Sequence, residues 1–466
     1  LPPVPAGNTL LPFMRSSDSL LDTIVAPATP PGRSALAVVR MSGPGVRGIL
    51  SALAPALPAR ARPRRPYLVA FHDTSGRTID TGFATLFAGP ASYTGEDVAE
   101  LSAHGSPVVV SRLLEAAVAA GARMARPGEF TERALRAGKI DLLRAEAVRE
   151  LIEARTPAAA RASAARADGS LSRRLDAVRE DLLAASAGLA ATIDFSDDVG
   201  EEVDPRVGQR LRSAGDALER ILSTYRTGRL LAEGCRVAIL GRPNAGKSTL
   251  FNAVLGAARA IVTEVPGTTR DTLEATVDLR GVPVTLIDTA GLRETDEVVE
   301  RIGVERARDE GARADAILYV FDVSEGWSRE DEAAVAASGG KPLVLVANKI
   351  DRAGRPGTRG PEEAMGLCGL DPAAGETLRA RLEEKIVGEI GPGEESEVLG
   401  SLRQKDLVER ARVEAARTVE ALAGGLSPEY AATHCHAALD ALADLVGETT
   451  SEDVLERLFA TFCIGK

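Results

Sequence analysis

Apolar positions along the chain change their spacing three times, and each change marks a different kind of element. Up to about Gly138, short apolar runs such as ALAVVRMSG and VVVSRLLEAAVAAGA alternate with Gly- and Pro-containing turns, the texture of a small α+β domain. From Lys139 to Leu231 nearly every window has helical periodicity and is rich in Ala, Leu, Arg and Glu. One break, at TIDFSDDVGEEVDP, predicts two long helices there. From Cys235 strands return, each followed by a helical stretch: CRVAIL, VPVTLIDTAG, AILYVFDVS and PLVLVANKID. That alternation predicts a doubly wound, mostly parallel sheet. After GPGEESEVLGS the pattern is helical again. The expected architecture is multidomain α/β and α: a flexible lead-in over 1–20, an α+β domain over 21–138, a helical domain split between 139–231 and 395–466, and an inserted α/β domain over 232–394.

Length and composition narrow this picture. A chain of 466 residues is too long for one core. No apolar run approaches the roughly 18 residues of a membrane helix, so no membrane association is expected. The opening LPPVPAGNTLLPFMRSSDS lacks a basic start and a continuous apolar core, so it does not read as a signal peptide. Cys235, Cys368, Cys435 and Cys463 lie far apart with no CxxC, which suits a reducing, cytoplasmic setting. A net charge of -11 argues against broad non-specific nucleic-acid binding but leaves room for a local basic face. Arg166 and Arg173, expected on one helical face with Arg174 beside them, are candidates for phosphate contact. The loop PARARPRRP is another, with a plain solvated surface the alternative for both.

The strongest chemical signal is GRPNAGKST, Gly241 to Thr249, between a predicted strand and a predicted helix. It fits G-x-x-x-x-G-K-[ST] in the strand–loop–helix context that this phosphate-binding loop requires. Backbone N–H groups around Asn244, Ala245 and Gly246 can close on phosphates at a helix N-terminus. Lys247 would reach the terminal phosphates and Ser248 would bind Mg²⁺, with Thr249 completing the motif. DTAG, comprising Asp288, Thr289, Ala290 and Gly291, ends an apolar strand where a carboxylate can hold the metal's water shell. NKID, with Asn348, Lys349 and Asp351, ends another; a carboxylate there accepts both guanine N–H donors, which adenine lacks. PGTTRD offers Thr269 as a second Mg²⁺ ligand. Together these predict a guanine-nucleotide domain of the Ras-like P-loop type. Leu292 stands where a glutamine could have oriented the attacking water. The stretch LRETDEVVERIG supplies Glu294, Asp296, Glu297 and Glu300 instead. Transition-state charge calls for an arginine finger or a monovalent cation, and Asn244 with the carbonyls of TEVPGT offers oxygen ligands for the second.

These motifs, with DTIVAPATPPGRSALAVVRMSGP, SYTGEDVAELSAHGSPVVV, RPGEFTERALRAGKIDLLRAEAV, ERIGVERA and FCIGK, resemble the tRNA-modification GTPases of the MnmE (TrmE) family from about Asp22 to Lys466. The resemblance implies an N-terminal folate-binding domain that forms a homodimer, a helical domain and an inserted GTPase domain. It implies work with an MnmG-type partner that uses FAD and NADH. Together they add an aminomethyl or carboxymethylaminomethyl group at the 5-position of the tRNA wobble uridine, with a tetrahydrofolate derivative supplying the one-carbon unit. It further implies K⁺-stimulated hydrolysis, with Asn244, Thr263, Val265 and Thr268 around K⁺, Ser248 and Thr269 on Mg²⁺, and Glu300 orienting water. Arg40, Glu100, Lys139 and Lys466 fall at the family's folate contacts.

Some features depart from that pattern or stand outside it. Cys368-Gly369 occupies the place of a usual Ser-Ala guanine loop, where backbone N–H groups can still meet the guanine oxygen. In HCH, His434 and His436 point to nearly opposite sides of a helix and so cannot chelate one ion. TFCIGK lacks the aliphatic residue of a prenylation box. The tail is expected to close the helical domain near the folate site, with Cys463 a small buried cysteine or, alternatively, a redox or nucleophilic group. A non-catalytic GTP switch and a ribosome-assembly GTPase share the nucleotide motifs, but the second gives no reason for SYTGEDV or FCIGK. If Asp351 reads guanine, Asp351→Asn should weaken GTP binding about 100-fold, the scale of losing charge-assisted hydrogen bonds. Xanthine nucleotides, whose 2-oxygen would face a carboxylate in the unmodified chain but can accept from the new amide, should gain affinity; titration calorimetry with both ligands checks this.

Overall fold

In the computed structural model the described residues are 22–194, 203–258, 260–261, 273–289, 309–352, 360–388 and 397–465. The chain divides into two compact units: residues 22–145 with 450–465, and residues 146–449.

The first unit is built on a six-stranded mixed sheet in the order β3-β4-β5-β2-β1-β6. Its strands are β1 Ile24–Pro27, β2 Ser34–Ser42, β3 Pro66–His72, β4 Thr78–Phe87, β5 Val98–Gly105 and β6 Arg123–Met124. Only the β1–β6 pair is parallel. Alternation decides the faces: Val39, Met41, Phe71, Leu86 and Leu101 point into a core shared with helices Val46–Leu53 and Pro107–Ala119. Leu36, Leu68 and Phe83 are exposed. Residues 450–465 belong to this unit. Helix Glu452–Phe459 packs Leu455 and Phe459, with Phe462, against Leu142 and Ala145, Pro127 bridges to Ile464, and Gly128 N–H donates to the Cys463 carbonyl at 3.4 Å. The tail, expected to close the helical domain, thus packs within the first unit.

A buried carboxylate ties helix Glu129–Arg136 to β6. Glu129 is fully buried and accepts from Arg123 at 2.6 and 2.9 Å, from Arg133 at 3.1 Å and from the Arg126 N–H at 2.9 Å. Burial pushes its carboxyl up, but these donors outweigh it and hold the pKa down at about 2.

The second unit holds a helical part and an α/β part. Four long helices, Ser170–Asp194, Pro205–Ser223, Leu402–Ala423 and Pro428–Val446, each pack against two of the others. Two long helices were expected between Lys139 and Leu231, but the described residues there form five, with extra breaks near residues 154–156, 168–169 and 224. The break at 168–169 matters for the predicted basic face. Arg166 ends one helix and Arg173 lies on the next, so they share no face. Arg166 is buried against Glu150 rather than available to phosphates, because a buried carboxylate needs a paired cation. Arg173 bonds the Asp168 carbonyl and Arg174 pairs with Glu397 at 3.0 Å.

The α/β part is a seven-stranded sheet in the order β13-β12-β11-β7-β10-β9-β8. Its strands are β7 Cys235–Leu240, β8 Ala260–Ile261, β9 Leu273–Leu279, β10 Val282–Asp288, β11 Ala316–Asp322, β12 Leu343–Asn348 and β13 Met365–Leu367. All pairs are parallel except β8–β9 and β9–β10. β11 is buried along its whole length, as a central parallel strand covered on both faces must be. Thr156 caps helix Pro157–Ala167 by accepting from Ala159 N–H and donates its own hydroxyl to the Gly281 carbonyl in the β9–β10 turn.

Glu129 generates a pH prediction. Its folded pKa lies below the ordinary 4.5, so its stabilisation is present above 4.5 and lost as pH falls towards 2. The shift amounts to about 3 kcal/mol. Glu129→Gln should lower the melting temperature at neutral pH and flatten the acid limb between those values, as measured by circular dichroism.

Candidate functional site

The sheet positions four chain segments at the C-terminal ends of β7, β10, β11 and β12, where ligands bind in open α/β sheets. β7 is a short apolar strand ending at Leu240, and the chain then loops into helix Lys247–Ala257. Two glycines make that loop possible. Gly241 has φ +140°, and a Cβ there would lie 1.9 Å from the Val320 carbonyl oxygen. Gly246 has φ +96°, and its Cβ would lie 2.1 Å from Asn348 Nδ2. Lys247 folds back over the loop, donating to the carbonyls of Gly241 at 2.7 Å and Arg242 at 2.9 Å. Burial lowers its pKa, with Asp288 acting in the opposite direction. Ser248 donates to Asp288 Oδ2 at 2.6 Å, and Thr289 donates to the Ile239 carbonyl at 2.7 Å.

β12 ends in the second half of the site. Asn348 is buried; its Nδ2 donates to the Ala245 carbonyl at 2.8 Å and its Oδ1 accepts the Gly369 N–H at 2.9 Å. Lys349, at φ +63°, donates to the Asn244 carbonyl and to Asp322 Oδ2, both at 2.7 Å. Burial raises the Asp322 carboxyl, but the Lys349 and Ser324 donors outweigh it and leave the pKa lowered. Asp351 lies exposed on the turn Ile350–Arg352. Cys368-Gly369 follows β13 directly, so the atypical pair stands beside Asn348 through Gly369. The structure thus brings together Asn244, Ala245, Gly246, Lys247, Ser248, Asp288, Asn348 and Lys349.

Thr263, Val265, Thr268, Thr269, Ala290, Gly291, Leu292, Glu294, Asp296, Glu297, Glu300 and Lys466 lie outside the described residues. Sequence reasoning missed Arg242, Asp322 and Asp331. Arg242 sits inside the loop motif at a position where the motif accepts any residue, while Asp322 ends β11 and Asp331 lies in the helix after it, neither within a motif of its own.

The assembled loop is suited to anions: N–H groups at a helix N-terminus with a buried ammonium. The adjacent Ser248 hydroxyl and Asp288 carboxylate are hard oxygen donors of the kind Mg²⁺ takes.

Three of the four predicted folate contacts, Arg40, Glu100 and Lys139, lie in the first unit. Register places Arg40 opposite Glu100, and the guanidinium bonds Glu100 Oε1 through Nε at 3.0 Å and a terminal nitrogen at 2.8 Å. Its other terminal nitrogen reaches the Gly465 carbonyl at 3.4 Å. Arg40 and Glu100 line a cavity of about 270 Å³ with Arg64, Phe87, Ser92 and Tyr93. Lys139 bonds the Pro90 carbonyl at 2.9 Å. A larger recess of about 1120 Å³, between Thr192, Asp204, Arg212 and Glu429, contains none of the predicted site residues.

Cys463 is exposed rather than buried. The turn that lets its carbonyl meet Gly128 leaves its side chain outside, while Phe462 goes in. Burial pushes the Cys235 thiol up to about 12 and Cys435 up to about 11. His434 is paired with Glu414 at 2.6 Å, and His436 is 3.1 Å from Ser186, on separate partners as the helical spacing requires.

Comparison with known proteins covers almost the whole chain. Residues 23–139 match the model for the N-terminus of the GTP-binding protein TrmE, and residues 142–463 match that for the MnmE helical domain. The tRNA modification GTPase MnmE of Heliobacterium modesticaldum is 40% identical over 96% of this chain and 99% of its own. The Aquifex aeolicus protein of the same name is also 40% identical, over 96% and 100%. Among solved structures, a point variant of Aquifex aeolicus Era bound to GDP and AlF4- is 27% identical over 39% of this chain and 66% of that one, with a TM-score of 0.26.

The close approach at Gly246 is directly testable. Gly246→Ala forces a side chain into a left-handed backbone position and onto Asn348. GDP affinity should fall by about 2 kcal/mol or more, roughly 30-fold, with far-ultraviolet circular dichroism unchanged; fluorescent-nucleotide titration reads the loss.

Proposed function

The chain belongs to the MnmE (TrmE) family of tRNA-modification GTPases, and from that premise we propose that its GTP hydrolysis is K⁺-assisted and serves chemistry at the 5-position of the tRNA wobble uridine. The modification itself, addition of an aminomethyl or carboxymethylaminomethyl group, is shared with an MnmG-type protein that uses FAD and NADH. The observation that carries the nucleotide part is the convergence of Lys247, the Ser248–Asp288 pair and Asn348 on one loop. In this reading Lys247 holds the terminal phosphates, the loop N–H groups cradle them, and Asp351 takes the guanine edge. Bound Mg²⁺ and K⁺ would supply electrostatic stabilisation of the developing phosphate charge. Ser248 and Thr269 would hold the first; Asn244, Thr263, Val265 and Thr268 would hold the second. Glu300 is assigned to orient the attacking water, since Leu292 cannot.

For the N-terminal unit, we assign Arg40, Glu100, Lys139 and Lys466 to a tetrahydrofolate derivative. What supports this is a cavity with an ion pair at its wall and Tyr93 and Phe87 beside it, an apolar recess with few polar anchors of the kind that suits a heteroaromatic ligand. The folate would supply the one-carbon unit. A homodimer through this unit is supported by the exposed Leu36, Leu68 and Phe83 on its sheet, apolar residues of the kind that mark association surfaces. No described helix is long and apolar enough to cross a membrane, and the assigned location is cytoplasmic.

The test is steady-state GTP hydrolysis in KCl against NaCl, with Glu300→Ala alongside. K⁺ should raise the rate about tenfold or more, and Glu300→Ala should lower kcat by about 100-fold with GTP affinity retained. Equal, slow rates in both salts would remove the cation-assisted mechanism.

A further inference from the structure

The second residue of the phosphate loop is an arginine, and its two ends do different work. Its backbone is restricted towards extended conformations because Pro243 follows it. Its carbonyl accepts the Lys247 ammonium at 2.9 Å and the Ala245 N–H at 3.3 Å. Its guanidinium lies on the segment after β11: 3.2 Å from Asp331 Oδ1, 3.4 Å from Glu325, and donating to the Gly326 carbonyl at 2.6 Å.

Asp331 is no ordinary surface partner. It is fully buried in the capping box of helix Arg329–Ala336. Its Oδ2 accepts the Ser328 N–H and hydroxyl, each at 2.8 Å, and its Oδ1 accepts the Tyr319 hydroxyl at 2.8 Å. A buried carboxylate this well held is a fixed point, and Arg242 is the cation set against it. The same segment carries Trp327, the only tryptophan in the chain. Its ring meets Phe321 edge-on at 5.0 Å and Tyr319 at 6.0 Å between centroids.

We propose that Arg242 is a positioning residue for GTP binding: anchored on Asp331 and Gly326, it fixes the carbonyl that holds Lys247 and makes the phosphate loop and the Trp327 segment one mechanical body. Arg242 acts through Lys247, not on the phosphates. A simple fold staple would hold the domain together without transmitting nucleotide occupancy to Trp327, and that difference decides the test.

The experiment uses the full chain with GDP and Mg²⁺. Arg242→Met should raise the GDP Kd about tenfold, the weight of a charge-assisted bond. Arg242→Lys keeps the charge but gives up the fork to Gly326, and should cost about threefold. GDP should reduce acrylamide quenching of Trp327 in the unmodified chain and fail to do so in Arg242→Met. Adding Asp331→Asn to Arg242→Met should cost no further affinity, because the two act as one unit. An unchanged Kd in Arg242→Met overturns the proposal. So does a quenching response that is absent from the unmodified chain or persists in Arg242→Met, or an affinity loss that follows melting temperature with no recovery in Arg242→Lys. Should Arg242→Met fail to fold, Arg242→Lys decides alone: a Kd and a quenching response identical to the unmodified chain reject the assignment.

Discussion

One buried amide sets the geometry of the nucleotide site. Asn348 donates to the phosphate loop at Ala245 and accepts from the segment after β13 at Gly369. Both halves of its side chain are used, and in a water-free position a primary amide must satisfy both. The distance between the loop at Ala245 and the segment at Gly369 is therefore set by a single rigid group. Gly246 has no side chain because this amide fills the space. Lys349, next in sequence, adds a second strut to Asn244 and carries Asp322 with it. The motif is read as base recognition, yet in the structure its asparagine faces inward and holds the loops.

How much of this was legible in the sequence depends on the range over which partners act. Strand–loop–helix context, the acidic strand end and the NKID turn are local patterns, and their order along the chain follows the parallel sheet. The packing partners were not legible. Arg166 had every appearance of a basic surface residue, but its carboxylate lies on another helix. Arg242 occupies a free position of a motif, while Asp331 lies beyond β11. Cys463 is exposed although a lone cysteine is more often buried, because the backbone turn selects Phe462 for the interior. Helix breaks at 168–169 and 224 fall inside continuous helical periodicity, where capping and tertiary contacts decide.

Arginine is the recurrent counter-ion of the interior. Arg123 and Arg133 serve Glu129, Arg166 serves Glu150, Arg403 serves Glu146, and Arg242 serves Asp331. A planar fork can satisfy a carboxylate and a nearby carbonyl together, which a point charge does less well. This use of arginine explains why Arg-rich stretches in an acidic chain are a poor guide to nucleic-acid surfaces. Several of those cations are already committed to the fold.

The placement of residues 450–465 has a consequence for how the protein is made. They pack against Leu142, Ala145 and Pro127, and roughly 300 residues of helices and α/β domain intervene, a loop whose closure costs entropy that only late contacts return. During synthesis the emerging first unit would have its strands paired but Leu142 and the Pro127 edge uncovered. Until then those apolar groups stay exposed, the kind of surface that promotes association between incompletely folded chains. Any interruption of translation inside the α/β insertion would leave that unit without the residues that cover Leu142 and Ala145.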